Sequence, residues 1–352
     1  MALAPLHADA VAAVDSTGQA SEILDLSTHL LDALWRVESA ALRPGEGGPS
    51  GLIVAGMGGS GIGGRLALAA LGPRAVRPVT LAGGYALPSW AGADSTVLCS
   101  SYSGATEETL SCYDAAGRLG ARRLVATTGG PLAERARADG VPVIPVPGGF
   151  QPRAAVGYSL VVALEAAALA RAGPSLRPEI EAASALAQRL AAEWGPDAPE
   201  DNEAKRLARA LHGSVPVVAG AELTAGVAYR WKSQLNENAK LPAFASELPE
   251  LDHNEIVGWK AAPDHGRFSA VLLDDDDTHP RTRARIGLTA ELVTEGAQAV
   301  EVVAGRGASR TERMVSLVLL GDLVSLYLAV LRGADPAEID VLHALKARLA
   351  QR

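Results

Sequence analysis

A chain of 352 residues, 48% of them hydrophobic, carries enough apolar surface for one large core or two, which excludes intrinsic disorder as its general description. With 40 acidic against 32 basic residues the formal charge is -8, so a nucleic acid or an anionic membrane surface would need a local basic patch, and the sequence offers none. Two cysteines, Cys99 and Cys112, are too few for a disulfide framework or a cysteine metal cluster. The longest apolar stretches, 158–170 and 314–331, are interrupted by Glu165 and Asp322 and fall short of an uninterrupted bilayer span. The first twenty residues carry Asp9 and Asp15 and lack a basic start to an apolar core, so they do not resemble a secretory signal. A soluble protein in the reducing cytoplasm is expected.

In chain order, apolar spacing at Ile23, Leu26, Leu30, Leu31 and Leu34 predicts an amphipathic helix over 21–42, with no visible chemistry. From Gly51 onward short apolar runs alternate with helical patterns, the signature of parallel strands joined by crossover helices, so the fold class is α/β. Strands are predicted at 52–55, 79–82, 96–100, 124–127 and 143–146, which make one sheet. Ala/Leu-rich helices follow at 159–172 and 179–194, then a run of breakers, Gly195-Pro196-Asp197-Ala198-Pro199. A second sheet draws on strands at 215–219, 270–273 and 299–303. The expected organisation is an N-terminal helical segment (1–44), a first domain (45–195) and a second (200–352) with a terminal helix. A weak echo between residues 52–56 and 215–220, each opening a helix, makes duplication plausible.

Gly56-Met57-Gly58-Gly59-Ser60-Gly61 has the glycine spacing of a dinucleotide-binding turn, but no Asp or Glu occurs from residue 51 to 93 to hold a ribose, which argues against NAD. Arg74 or Arg77 could meet the 2′-phosphate of NADP, a minor alternative. A second loop, residues 100–109, also lies where a strand ends and a helix begins. Backbone N–H groups at a helix start are unpaired, so Gly58 and Gly59 with the hydroxyls of Ser60, Ser101, Ser103 and Thr106 could form a neutral cradle for a phosphate. Ordinary helix capping is the alternative use of those hydroxyls. Asp274-Asp275-Asp276-Asp277 with His279 has the residue types of a cation site, but directly after a strand a solvated loop of mutually repelling charges is expected.

Together the two loops resemble a sugar isomerase (SIS) domain, a phosphosugar-binding module. Asn236-Glu237-Asn238-Ala239-Lys240 and Glu247-Leu248-Pro249-Glu250-Leu251-Asp252-His253-Asn254-Glu255-Ile256-Val257-Gly258-Trp259 resemble the bifunctional phosphoglucose/phosphomannose isomerases, over nearly the whole chain. The resemblance implies two doubly wound parallel-sheet SIS domains with flanking helices and a homodimer; with a base and an arginine to handle the enediol, no metal and no cofactor are expected. Aldose–ketose isomerisation needs a base that removes a proton from C2 and returns it to C1, work for a carboxylate whose pKa burial raises. The resemblance gives that role to Glu237, stabilisation of the enediol to Arg153, and ring opening to Lys346 and to His253, the last reaching in from the neighbouring subunit. The chain departs from the family pattern at Ala337-Glu338, where relatives tend to carry Thr and Pro, and at His343, where they often carry an acid; preference between glucose and mannose stays open. A non-catalytic phosphosugar sensor would need the phosphate loops but not the set Glu237, His253 and Lys346.

Overall fold

The computed structural model describes residues 4–349 and 351. Helices α1 (Ala8–Ala12), α2 (Gln19–Leu24) and α3 (Leu26–Ser39) open the chain. The single helix expected over 21–42 is thus divided, because Asp25, at φ -80° and ψ 9°, leaves the helical region. α2 begins at Gln19 because the Asp15 carboxylate accepts the backbone N–H groups of Gln19 (2.9 Å) and Ala20 (2.8 Å), which a helix start otherwise leaves unpaired.

The first sheet is built from β1 (Leu52–Ala55), α4 (Gly58–Leu71), β2 (Val79–Ala82), β3 (Thr96–Ser100), α5 (Glu107–Arg118), β4 (Arg122–Thr127), α6 (Gly130–Ala138) and β5 (Val143–Pro145). Its strands are all parallel, in the order β2-β1-β3-β4-β5. β1 and β3 are buried throughout, which is why they read as unbroken apolar runs rather than alternating ones. Two long helices follow, α7 (Val156–Leu169) and α8 (Arg177–Trp194). The breaker run after α8 is pinned by buried Lys205, whose ammonium donates to the carbonyls of Pro196 (2.9 Å) and Ala198 (2.7 Å).

The second half begins with α9 (Glu203–Leu211) and continues through β6 (Val215–Gly220), α10 (Leu223–Glu237) and β7 (Phe244–Glu247). Two 3₁₀ turns, Glu250–His253 and Glu255–Ala261, lead into α11 (Ala262–His265), β8 (Phe268–Asp274), α12 (Pro280–Val293) and β9 (Ala299–Ala304). The order is β7-β6-β8-β9, again parallel. β7 is an addition to the three strands expected there. It is an exposed edge strand of four residues and so carries no buried apolar signature.

α13 (Arg310–Arg332) starts with a capping box, Ser309 with Glu312, and ends at Gly333 in the left-handed conformation. Its length and hydropathy would suffice to cross a bilayer, but 94% of its apolar window is buried within this protein. It packs on α8, α9 and α10, and one continuous apolar core runs from α3, α7 and α8 through α13 to both sheets. The last helix, α14 (Asp340–Leu349), differs: of the apolar residues that recur at helical spacing in the sequence, Ile339, Leu342, Leu345 and Leu349, the last three are exposed, and no residue of α14 is buried.

Candidate active site

In an open parallel sheet ligands bind beyond the carboxyl ends of the strands where the order reverses, here between β1 and β3. The segments leaving those ends are the two loops singled out by sequence. Gly58 sits at φ +52° and opens α4; Ser60 and Gly61 donate their N–H groups back to the Met57 carbonyl, at 3.0 and 3.1 Å. A side chain at Gly59 would stand 2.5 Å from the Pro152 carbonyl, so glycine there lets the segment carrying Arg153 lie against the loop. A cavity of about 300 Å³, at the small end of ligand-sized pockets, lies over Gly56–Gly61 and is closed on its far side by α10.

α10 lines that cavity with Tyr229, Arg230, Ser233, Gln234 and Glu237, one face of a helix at i, i+4 and i+8. Glu237 is the last helical residue, and cations secure the chain just beyond it. The Lys240 ammonium donates to the carbonyls of Glu237 (2.5 Å) and Pro336 (3.2 Å), and the Arg332 Nε donates to that of Ala239 (2.8 Å). Burial, followed by the charge of Arg153, pulls Lys240 below the ordinary lysine range.

Arg153 meets Glu237 across this cavity, Nη1 to Oε2 at 3.4 Å, with the guanidinium 3% exposed and the carboxylate 33%. Its Nε donates to Asn238 Oδ1 (2.7 Å), and its Nη2 to Gln19 Oε1 (3.0 Å) and the Pro336 carbonyl (2.6 Å). Nη1 makes only long contacts, 3.4 Å to Gln151 Oε1 and 3.4 Å to Glu237. Burial pulls Arg153 below the ordinary arginine range, and Glu237 and Glu22 oppose this. Behind it the buried pair Arg230–Asp322 closes at 3.0 and 2.5 Å, and Arg230 Nη2 donates to the Arg153 carbonyl at 3.0 Å.

The structure therefore brings together Gly58, Gly59, Arg153 and Glu237. Ser60 joins the two loops by accepting the Tyr102 N–H at 2.9 Å. Ser101 is buried, shares a hydrogen with Thr106 Oγ1 (2.8 Å) and accepts the Gly104 N–H (3.1 Å), so it shapes the loop, while Thr106 at the start of α5 makes no capping bond. Ser103 is exposed and accepts the Ala105 N–H at 3.3 Å. Ser101, Ser103 and Thr106 do not line the Glu237 cavity. Nor do His253, exposed at the end of a 3₁₀ turn, and Lys346, exposed on α14.

One minor alternative loses its residues, and one expectation changes. Arg74 pairs with Glu179, and Arg77 donates to the Arg171 carbonyl, so neither waits at the carboxyl end of β2 for a 2′-phosphate. The aspartate run is not simply a solvated loop. Asp274 and Asp275 are buried, because Arg283 reaches Asp274 (2.9 Å) and Arg313 pairs with Asp275 and Asp277. Sequence reasoning passed over Arg65, Tyr229, Arg230, Ser233 and Gln234 as cavity residues. The helical spacing that leads to Glu237 was the signal for all of them except Arg65, which stacks 4.5 Å from the Tyr229 ring.

Residues 200–349 match the family model described as the bacterial phospho-glucose isomerase C-terminal SIS domain. The chain is 40% identical over 304 residues to the bifunctional phosphoglucose/phosphomannose isomerase of Caldicellulosiruptor bescii, covering 85% of this chain and 89% of that protein. To the protein of the same description from Aquifex aeolicus it is 34% identical over 305 residues, covering 85% and 90%. A crystal structure of a hypothetical protein from Thermus thermophilus shares the fold with a TM-score of 0.76 at 16% identity, over 98% of this chain and 92% of that one.

Proposed function

The chain belongs to the bifunctional phosphoglucose/phosphomannose isomerase family, and from that premise we propose that it interconverts glucose 6-phosphate, and mannose 6-phosphate, with fructose 6-phosphate through an enediol. The observation that carries this assignment is the Glu237 carboxylate 3.4 Å from a guanidinium whose facing nitrogen has no short partner, over a helix start with open N–H groups. Glu237 removes the C2 proton of the open-chain aldose. The C2–H electron pair forms the C1–C2 double bond, and the C1 carbonyl pair moves onto oxygen. The hydroxyl proton at C2 passes to that oxygen; the C2 oxygen's electron pair then forms the ketose carbonyl, and the pair of the C1–C2 double bond takes the proton back from protonated Glu237 at C1. Arg153 Nη1 donates to the oxygen that gains charge; as a permanent cation it does so without changing its own state.

The phosphate lies at the start of α4, held by the N–H groups of Gly58 and Gly59. Ser60 and Ser103 accept from backbone N–H groups, which leaves their own O–H free to donate, and one of the Ser101–Thr106 pair has a free O–H too. His253 and Lys346 open the ring in the cleft of a homodimer. What supports this is their exposure in the single chain and the exposed apolar side chains of Leu342, Leu345 and Leu349 on α14. Neither metal nor redox cofactor takes part, no nucleic acid or membrane is a partner, and the setting is the cytoplasm.

Purified protein incubated separately with glucose 6-phosphate and mannose 6-phosphate, with chelator present, is expected to form fructose 6-phosphate from both. Glu237→Gln is expected to bind phosphosugar but to lose exchange of the C2 proton with deuterated water. Full exchange in that variant overturns the assignment of the base. Tight phosphosugar binding without turnover in the unaltered protein would instead identify a sensor.

A further inference from the structure

We infer that Gln19, on the N-terminal segment, is a positioning residue for Arg153, and that this segment is thereby part of the catalytic apparatus. Gln19 is 0% exposed and stands 134 positions from the arginine it touches. Its Oε1 accepts from Arg153 Nη2 at 3.0 Å, while its Nε2 donates at 2.9 Å to Asn238 Oδ1, the same oxygen that accepts Arg153 Nε at 2.7 Å. Asn238 is held in turn by its own Nδ2, which donates to Ser325 Oγ at 2.9 Å. One amide thus closes a ring of hydrogen bonds along the edge of the guanidinium that faces away from the substrate cavity.

A guanidinium has five N–H groups in a rigid plane. Asn238, Gln19 and the Pro336 carbonyl take three of them, on Nε and Nη2, and fix the plane. The two on Nη1, with nothing closer than 3.4 Å, are then pointed at Glu237 and whatever lies beside it. The position requires an acceptor toward Arg153 and a donor toward Asn238 at once, which an amide supplies and neither a carboxylate nor an aliphatic side chain does.

The helix that presents Gln19 is itself held at its start, where the Asp15 carboxylate accepts the N–H groups of Gln19 and Ala20, and Arg153 Nη2 donates to Gln19 and to the Pro336 carbonyl at once.

The role of Arg153 rests on the isomerase assignment; its position does not, so the test reads both. In protein labelled with ¹⁵N-arginine, the Arg153 Nε–H, identified by its disappearance in Arg153→Lys, is expected to exchange slowly with solvent and to exchange at least tenfold faster in Gln19→Met. In turnover, Gln19→Met is expected to lower kcat by about 10- to 100-fold, the equivalent of one hydrogen bond to a charged group, with KM within about twofold. Gln19→Glu keeps the acceptor for Arg153 and loses the donor to Asn238, so its kcat should fall between the two. In the Arg153→Lys background, Gln19→Met should cause no further loss, as for two residues acting through one another. Unchanged exchange and unchanged kcat in both Gln19 variants overturn the inference, as does a full additional loss in the Arg153→Lys background. If the unaltered protein turns nothing over, the isomerase assignment fails, and the exchange measurement alone decides whether Gln19 positions Arg153.

Discussion

Replacing Arg153 by lysine keeps a positive charge and separates charge from directed hydrogen bonding. Three acceptors surround the fixed edge of the guanidinium: Asn238 Oδ1 at 2.7 Å, Gln19 Oε1 at 3.0 Å and the Pro336 carbonyl at 2.6 Å. An ammonium has three N–H donors, and these buried acceptors can consume all of them, leaving none for the oxygen that gains charge. The expected loss is that of a donor aimed at a developing oxyanion, about 10²- to 10³-fold in kcat. KM should move by less than about threefold, because the phosphate is held at the start of α4 and not by Arg153. The assay is steady-state conversion of glucose 6-phosphate to fructose 6-phosphate, beside a urea titration to confirm that the fold survives. Arg153→Lys retaining more than a tenth of the original kcat would refute the donor accounting, since charge alone would then suffice.

Asp322→Ala strands the buried Arg230 guanidinium, and breaking a buried pair from one side costs about 3–5 kcal/mol. The double variant Arg230→Met, Asp322→Leu should recover most of that in urea unfolding; a single variant losing under about 1 kcal/mol contradicts the pairing. His29 is buried between Phe150 and Tyr158, at 4.9 and 5.2 Å, and burial holds its imidazole below the ordinary range. Below about pH 6.5 the unfolded chain takes up a proton that the folded one refuses, so this contribution to stability is full above that pH and falls as pH drops. His29→Phe should flatten the difference in urea midpoint between pH 8 and pH 5, and an unchanged difference tells against it. If His253 serves the partner's cleft, mixing and re-forming dimers of His253→Ala and Glu237→Gln should restore turnover that neither has alone; no recovery after verified exchange places His253 elsewhere.

The parallel strands were legible because burial on both faces leaves unbroken apolar runs at 52–55 and 96–100, and the two ligand-side loops because glycine and hydroxyl residues follow those runs. β7 was not, since an exposed edge strand such as Phe244-Ala245-Ser246-Glu247 makes no such demand on its side chains. Glu237 and Arg153 stood out through a motif, whereas Gln19 and Arg230 did not. The bond from Gln19 to Asn238 closes over 219 positions, and no local pattern encodes a partner that distant. The aspartate run misled for the same reason: Arg313, which buries Asp275, lies on a helix 38 positions downstream. In α14 the apolar spacing was legible, yet Leu342, Leu345 and Leu349 stay exposed.

The two sheets repeat one strand order, β2-β1-β3-β4 in the first and β7-β6-β8-β9 in the second, so each has its own reversal point and each could have held a ligand. The first holds the cavity of about 300 Å³ described above. At the second, Thr224 Oγ1 accepts the Ala221 N–H at 2.9 Å and lies 3.0 Å from the Leu273 carbonyl, while Arg313 pairs with Asp275 and Asp277 across the carboxyl end of β8. The groups that would greet a ligand there are spent on one another. Yet α10, which starts at that closed point, runs across to the first sheet and ends with Glu237 beside Arg153. The first half thus supplies the open helix start and the guanidinium, and the second supplies the carboxylate through the far end of a helix. A residue placed this way answers to the packing of α10 on α4 and α13, so substitutions in that helical layer should alter kcat before they alter the phosphate loops.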